Sequence, residues 1–153
     1  MATTIDDQIQ AYKNRLKGAM ADVEALLGLA NAYLYMRRNN EAGAIIHRAR
    51  TLEPDSERTA LALAAWHINM NRADTALKLL APLSENTAAL QLAAQLHTDA
   101  GRNPDALAAL EKAAALDPDN PDIRYELGNL YDDADETAKA FTEYQKTVEL
   151  DPN

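Results

Sequence analysis

The sequence lacks cysteine and has few glycines and aromatic residues: five glycines, one tryptophan and one phenylalanine in 153 residues. Without cysteine it can form neither disulfides nor thiolate-ligated metal sites, and it has no thiol nucleophile. Low glycine content with abundant alanine and leucine favours closely packed helices over sheets, so we expect almost no strand.

Long apolar runs are also missing. No stretch approaches the ~20 residues that a membrane-spanning helix requires, and the first ten residues are polar. We therefore expect no membrane span and a cytoplasmic location; a protein from which a signal or anchor had been removed would show the same pattern.

Positive charge is scarce in the second half of the chain. The net charge is −9. Residues 1–86 hold ten acids and ten bases, whereas residues 87–153 hold fourteen acids and five bases. Such a field repels nucleic acid and attracts basic protein segments. We predict no nucleic-acid partner.

Small residues recur at two positions of an internal repeat. One position holds Ala42, Ala76, Ala106 and Ala140, and the other, twelve residues earlier, holds Ala30, Ala64, Ala94 and Gly128. Twelve residues cover the remainder of one helix, a tight turn and the start of a second helix. The two small residues then face each other, which lets the two backbones approach closely. The chain is therefore predicted to be an array of helix pairs.

The periodicity also sets boundaries. A leading helix is predicted within residues 1–22, opened by Thr4 as N-cap and closed by Gly18. The predicted repeats are 23–56, 57–86, 87–120 and 121–153. The second repeat is four residues shorter than the first, and Pro82 is expected to shorten its second helix.

Three segments resemble one repeat family: YELGNLY at 125–131, LDPDNP at 116–121 and VELDPN at 148–153. Residues 23–153 are similar to tetratricopeptide repeats (TPRs), with departures. The family's first-helix tryptophan is replaced in every repeat, and the turn glycine is retained only at Gly101. The resemblance implies an all-α, right-handed superhelical solenoid of about four antiparallel helix pairs, whose first helices line a concave groove for peptides or partner helices.

Residues that could carry chemistry have simpler interpretations. His67 and His97 occupy a repeat position that tyrosine fills elsewhere, which favours packing, and adjacent repeats lie too far apart for both to bind one metal. Trp66 lies in an apolar column and is predicted to belong to the core. The acidic turn at 132–136 lacks the spacing of a calcium loop. With no catalytic motif in the sequence, we predict a non-enzyme without metal or cofactor.

One face of each first helix remains after the packing positions are assigned. Its residues, spaced at i, i+4 and i+8, form the predicted groove: Leu27, Asn31, Tyr35, Leu61, Asn69, Gln91, Gln95, Asp99, Tyr125, Asn129 and Asp133. The face is apolar in the first two repeats and amide-rich, then acidic, in the last two. We predict a noncatalytic adaptor or chaperone-like module that binds a protein or peptide segment with apolar and basic residues. An ordinary solvated surface would also account for the polar members.

The terminal helices suggest an alternative function. Repeat arrays usually need a polar cap, yet the last helix carries apolar residues on the face meant for a neighbour. The candidate self-association residues are Ile5, Ile9, Phe141, Tyr144 and Val148. A self-assembling scaffold could form a two-fold dimer through the last helix, or filaments through head-to-tail contact between the first and last helices.

Overall fold

The computed structural model describes residues 4–152, and within that range the chain forms nine α-helices and no strand. The helices are α1 (Ile5–Gly18), α2 (Val23–Tyr35), α3 (Asn39–Leu52), α4 (Glu57–Asn69), α5 (Ala73–Leu80), α6 (Thr87–Asp99), α7 (Asn103–Leu116), α8 (Pro121–Asp133) and α9 (Thr137–Leu150). The predicted all-α class is confirmed. None of the described helices is long and apolar enough to cross a membrane.

Several helices begin at side chains that accept a hydrogen bond from the first turn. Thr4 forms a capping box with Asp7: Thr4 Oγ1 accepts from the Asp7 backbone N–H, and Asp7 Oδ2 accepts from the Thr4 backbone N–H. Asp22, Asn86 and Asn120 also cap α2, α6 and α8 through a side-chain oxygen. These caps fix where the first helix of three repeats starts.

The turns inside the helix pairs share one backbone conformation. Arg37, Asn71, Gly101 and Asp135 all have positive φ, from 55° to 69°. In each turn the following backbone N–H donates to a carbonyl in the last turn of the first helix, as Arg102 does to His97 at 2.8 Å. This is the 6→1 hydrogen bond of a Schellman motif. In three of these turns, the residue in the left-handed conformation is not glycine.

The chain divides into two compact units, Met1–Leu79 and Leu80–Asn153. In unit 1, α1 packs on α2, α2 on α3, and α4 on both α2 and α3. Ala30 and Ala42 are fully buried and belong to one core cluster with Leu29, Tyr33 and Ile46. The small residues therefore lie where two helices of a pair meet, as the repeat pattern predicts.

One residue predicted for self-association, Ile9, is buried within unit 1. Ile9 is only 6% exposed and lies in the same core cluster as Leu29. The apolar face of α1 is used on α2, where the Tyr12 ring lies against Gly28 so closely that an added Cβ would be 2.3 Å from it. Ile9 is therefore not available for a contact with another copy.

Trp66 is less buried than its apolar column predicts. Its ring packs against the unit 1 core and is only partly buried. Its Nε1 donates to the Asn39 carbonyl at 2.8 Å, and a Cβ at Gly43 would lie 2.7 Å from the ring. Trp66 thus joins α4 to the start of α3 at the edge of the core.

In unit 2, α6 packs on α7, α7 on α8, and α8 on α9. Ala94 and Ala106 are 1% and 0% exposed and share a cluster with Leu110, Ile123 and Leu127. Both small residues therefore lie in the core that α6 and α7 share, as the repeat pattern predicts.

The fifth helix is short. It has eight residues and ends at Leu80, two residues before Pro82. A proline lacks the N–H that would continue the helix, and its ring opposes the preceding turn. The predicted shortening is confirmed.

Candidate functional site

The predicted groove residues of unit 1 differ in exposure. Asn31 is exposed and Tyr35 is 80% exposed, whereas Leu27 and Leu61 are partly buried. Leu27 packs against the core of its own unit. The first helices of unit 1 therefore expose the Tyr35 ring and the Asn31 amide to solvent, while Leu27 and Leu61 are only partly accessible.

Asn69, the last predicted groove residue of unit 1, is held by two hydrogen bonds. Its Nδ2 donates to the Ala65 carbonyl at 3.2 Å, and its Oδ1 accepts from Arg37 Nη1 at 3.3 Å. The second bond joins the turn after α2 to the end of α4, and so fixes the orientation of the amide.

Unit 2 presents amides and carboxylates. Gln95 and Asp99 are exposed on α6, and Gln95 Nε2 donates to Asp99 Oδ1 at 2.8 Å. Gln91 is half-buried, and its Nε2 donates to Glu126 Oε1 on α8 at 3.4 Å. This last bond connects the first helices of two consecutive repeats.

On α8, two predicted groove residues contact Tyr144 of α9. Tyr125 is 54% exposed, with its ring centroid 5.9 Å from that of Tyr144. The Tyr144 hydroxyl donates to Asn129 Oδ1 at 2.9 Å. The side-chain carbonyl of Asn129 is thus engaged inside the unit, and its amide N–H groups are the donors it can offer to a ligand.

Unit 2 contains a cavity of about 120 Å³. Side chains from α6, α7 and α8 line it: Ala94, Gln95, Thr98, Leu110, Glu126, Asn129, Leu130 and Asp133. Three of these, Gln95, Asn129 and Asp133, belong to the predicted groove. The structure therefore brings part of the predicted set together around one concave surface, with an apolar floor and a polar rim.

The rim of the cavity is negatively charged. Burial raises the pKa of the Glu126 carboxyl, and the nearby Asp122 raises it further, while the hydrogen bond from Gln91 opposes the shift. Asp133 adds an exposed carboxylate at the other end of the lining. The eight lining residues include no base.

Sequence reasoning missed Glu126. The equivalent repeat position holds Gly28, Ala62 and Leu92 in the other repeats and is charged only here. A single charged residue in a column that is otherwise small or apolar was the available signal. The predicted ridge instead ran through Tyr125, one residue away.

His67 and His97 are both partly buried on the first helices of their repeats. The Nδ1 atoms of His67 and His97 are buried and have no hydrogen-bond partner among the described residues. Burial lowers the pKa of His67, and Arg72 and His47 lower it further. Over residues 4–152, no group of three or more histidine or carboxylate side chains is placed to hold a metal ion.

The predicted self-association residues differ in exposure. On α9, Phe141 and Val148 are 68% and 63% exposed. Tyr144 is half-buried, and its ring lies so close to Gly128 that an added Cβ would be 2.4 Å away. Ile5 on α1 is partly buried against the core.

The buried small residues and repeated turns define the class: an all-α helical-repeat protein. Family models match it twice, as "TPR repeat" over residues 94–134 and as "Tetratricopeptide repeat" over residues 121–153. Together these matches span residues 94–153 and support a tetratricopeptide repeat protein.

Solved structures support the same fold. TTC0263, a thermophilic TPR protein of Thermus thermophilus, superposes with a TM-score of 0.85 at 22% identity, covering 97% of this chain and 84% of that one. YrrB, described as a TPR protein with an unusual peptide-binding site, superposes with a TM-score of 0.64 at 18% identity, covering 97% and 79%.

A human protein is similar in sequence. Protein O-mannosyl-transferase TMTC1 of Homo sapiens is 31% identical over 150 residues, which is 93% of this chain. The chain spans only 17% of that protein's length. The likeness thus concerns a small part of TMTC1.

Proposed function

We propose that this chain is a noncatalytic adaptor or chaperone-like module that binds a protein segment on the exposed faces of its first helices. Tetratricopeptide repeats are protein-interaction modules. The observations that carry the proposal come from each unit by itself: Asn31 and Tyr35 are exposed on α2 in unit 1, and Gln95, Tyr125 and Asp133 are exposed on α6 and α8 in unit 2.

The chemistry of these faces supports binding over catalysis. They present amides, carboxylates and tyrosine rings, which recognise backbone and side chains of a peptide. The hydroxyl that lines the unit 2 cavity, on Thr98, donates to the Ala94 carbonyl of its own helix at 3.0 Å and is not held by a base. The transferase activity in the name of TMTC1 is a property of that much longer protein.

The charge of unit 2 supports a partner with basic residues, and the leucine and tyrosine side chains of unit 1 support a partner that also carries apolar ones. Carboxylates on a binding surface accelerate the approach of a cationic segment, and this acceleration weakens as salt screens the field. A cytoplasmic location is part of the proposal.

Charge reversal tests the proposal. Peptides selected by the full chain from a random 12-residue display library provide the ligand. Reversing both carboxylates, with Asp99→Lys and Asp133→Lys, is expected to slow association about tenfold at low salt and to flatten its salt dependence. The matched control, Asp119→Lys with Glu149→Lys, makes the same change of net charge at exposed positions outside the face. Equal association rates in both variants would remove the proposed site.

The exposure of Phe141 and Val148 favours a second candidate, a self-assembling scaffold joined through α9. Light scattering of the parent and of Phe141→Glu at high concentration tests it. A concentration-dependent mass in the parent that the variant lacks supports the scaffold, whereas a parent that stays monomeric excludes it.

A further inference from the structure

The unit 2 cavity has two chemically different parts. Its floor is apolar and consists of Ala94, Leu110 and Leu130. Its rim carries the Glu126 and Asp133 carboxylates, which lie seven residues apart on α8, about 10 Å along the helix axis. A ligand that fills it must combine an apolar stem with a positively charged end.

We propose that this cavity receives the side chain of a lysine or arginine from the bound segment, with its methylene groups on the apolar floor and its cationic end beside the Glu126 or Asp133 carboxylate. The inference rests on the proposed function and names the residue type that anchors the segment.

The size of the cavity agrees with such a side chain. Its volume of about 120 Å³ is several times the ~15 Å³ that a single enclosed water needs. Long basic side chains bury their methylene stems against apolar surface and keep the charged end at a polar rim. The floor and rim of this cavity are arranged in that order.

Among the described residues of unit 2, no base forms an ion pair with the carboxylates of the rim. Four of the five bases after residue 86 are engaged in ion pairs elsewhere: Arg124 and Lys146 with Glu143, Lys139 with Glu136, and Lys112 with Glu85. Within the described chain, Glu126 accepts the amide hydrogen bond from Gln91 and forms no ion pair. A cation from the partner would form charge-assisted hydrogen bonds with this half-buried carboxylate.

Asn129 offers a second type of contact. Its side-chain oxygen is held by Tyr144, which orients its amide N–H groups, and the residue lies between Glu126 and Asp133 in the lining. These N–H groups can donate to a backbone carbonyl of the segment next to the basic residue. The anchor would therefore be read in a fixed register.

Peptide selection on the full chain tests the inference. Random 12-residue libraries are selected in parallel on the parent, on Glu126→Gln with Asp133→Asn, and on the control Asp119→Asn with Glu149→Gln. The parent and control are expected to enrich peptides with a basic residue at one fixed position, and the cavity variant is expected to lose that enrichment. Circular dichroism establishes that each variant retains its helices.

A double-mutant cycle then locates the contact. Replacing the basic residue of a selected peptide by methionine is expected to weaken binding to the parent at least tenfold, and to the cavity variant less than twofold. Exchanging lysine for arginine in the peptide distinguishes the two cations. As a second measurement, Glu126→Lys is expected to prefer a peptide that carries glutamate at that position.

The outcomes separate the inference from the proposed function. Peptides that bind without a fixed basic position, or whose basic residue contributes equally to binding of the parent and the cavity variant, overturn the inference and leave the binding module in place. A library that yields no binder to the parent overturns the proposed function, and the inference fails with it.

Discussion

At the scale of single residues, Glu126 combines charge with burial. Burial raises its pKa above the usual value of 4.5, so the folded protein disfavours the ionised carboxylate relative to the unfolded chain. Its contribution to the free energy of unfolding therefore becomes less favourable as pH rises through the interval between the two pKa values. A residue that destabilises the folded protein in the absence of a ligand is typical of a binding site.

Glu126→Gln is accordingly expected to raise the thermal midpoint at pH 7 by a small amount, of the order of 1 °C, because the side chain is only half-buried and water screens the effect. Below about pH 4, where the carboxyl is protonated in both states, the gain should vanish. Thermal unfolding followed by circular dichroism at both pH values measures this, with Glu149→Gln as the exposed control. A gain that is independent of pH would contradict an electrostatic cause.

Asp135 holds a left-handed backbone conformation, φ 60°, that glycine adopts without steric cost. Asp135→Gly is expected to stabilise the protein by about 0.5–1 kcal/mol, while Gly101→Ala, at φ 69°, is expected to destabilise it by about 1 kcal/mol. Urea denaturation measures both. If the two substitutions changed the midpoint in the same direction, the strain argument would be wrong.

At the scale of helices, the pairing depends on the small columns. Ala106 is fully buried in the cluster that contains Ala94. Ala106→Leu must separate α6 from α7 and is expected to destabilise the protein by about 2–3 kcal/mol.

Ala108→Leu provides the matched control, because position 108 lies on the exposed side of the same helix. It should change stability by less than about 0.5 kcal/mol. Urea denaturation compares the two variants directly. Equal losses in the free energy of unfolding would show that close packing at Ala106 does not hold α6 and α7 together.

The helices could be predicted because their signals are local: the paired small residues of the repeat, the Thr4 N-cap, and Pro82, which lies two residues after the end of α5. The left-handed conformation of Arg37 could not be predicted, because arginine does not favour positive φ. The hydrogen bonds of the turn impose that conformation. The cavity required knowledge of which faces of α6 and α8 lie opposite each other, which a ridge drawn on each helix separately does not provide. Burial of Ile9 likewise depends on how α1 docks on α2.

At the scale of the whole molecule, the two compact units suggest stepwise unfolding. Stability in repeat proteins is a sum of local terms and neighbour contacts, so one repeat can open before another. The single tryptophan, Trp66, lies in unit 1 and reports on that unit, whereas circular dichroism reports on the helices of both.

Urea unfolding followed by Trp66 fluorescence and by circular dichroism is therefore expected to give midpoints that differ. Ala106→Leu supplies the control, because it should move the circular dichroism transition and leave the fluorescence transition in place. Coincident transitions in the parent and in this variant would show that both units unfold as one cooperative body.

The brevity of α5 has a consequence for degradation. A helix of eight residues is too short to persist without tertiary support, and the six residues after it, 81–86, are mostly exposed. A protease needs an unwound substrate, and this exposed stretch can supply one with little loss of packing. The lifetime of the protein under digestion would then be set by fraying at this one place, and its first fragments would be two halves of nearly equal length.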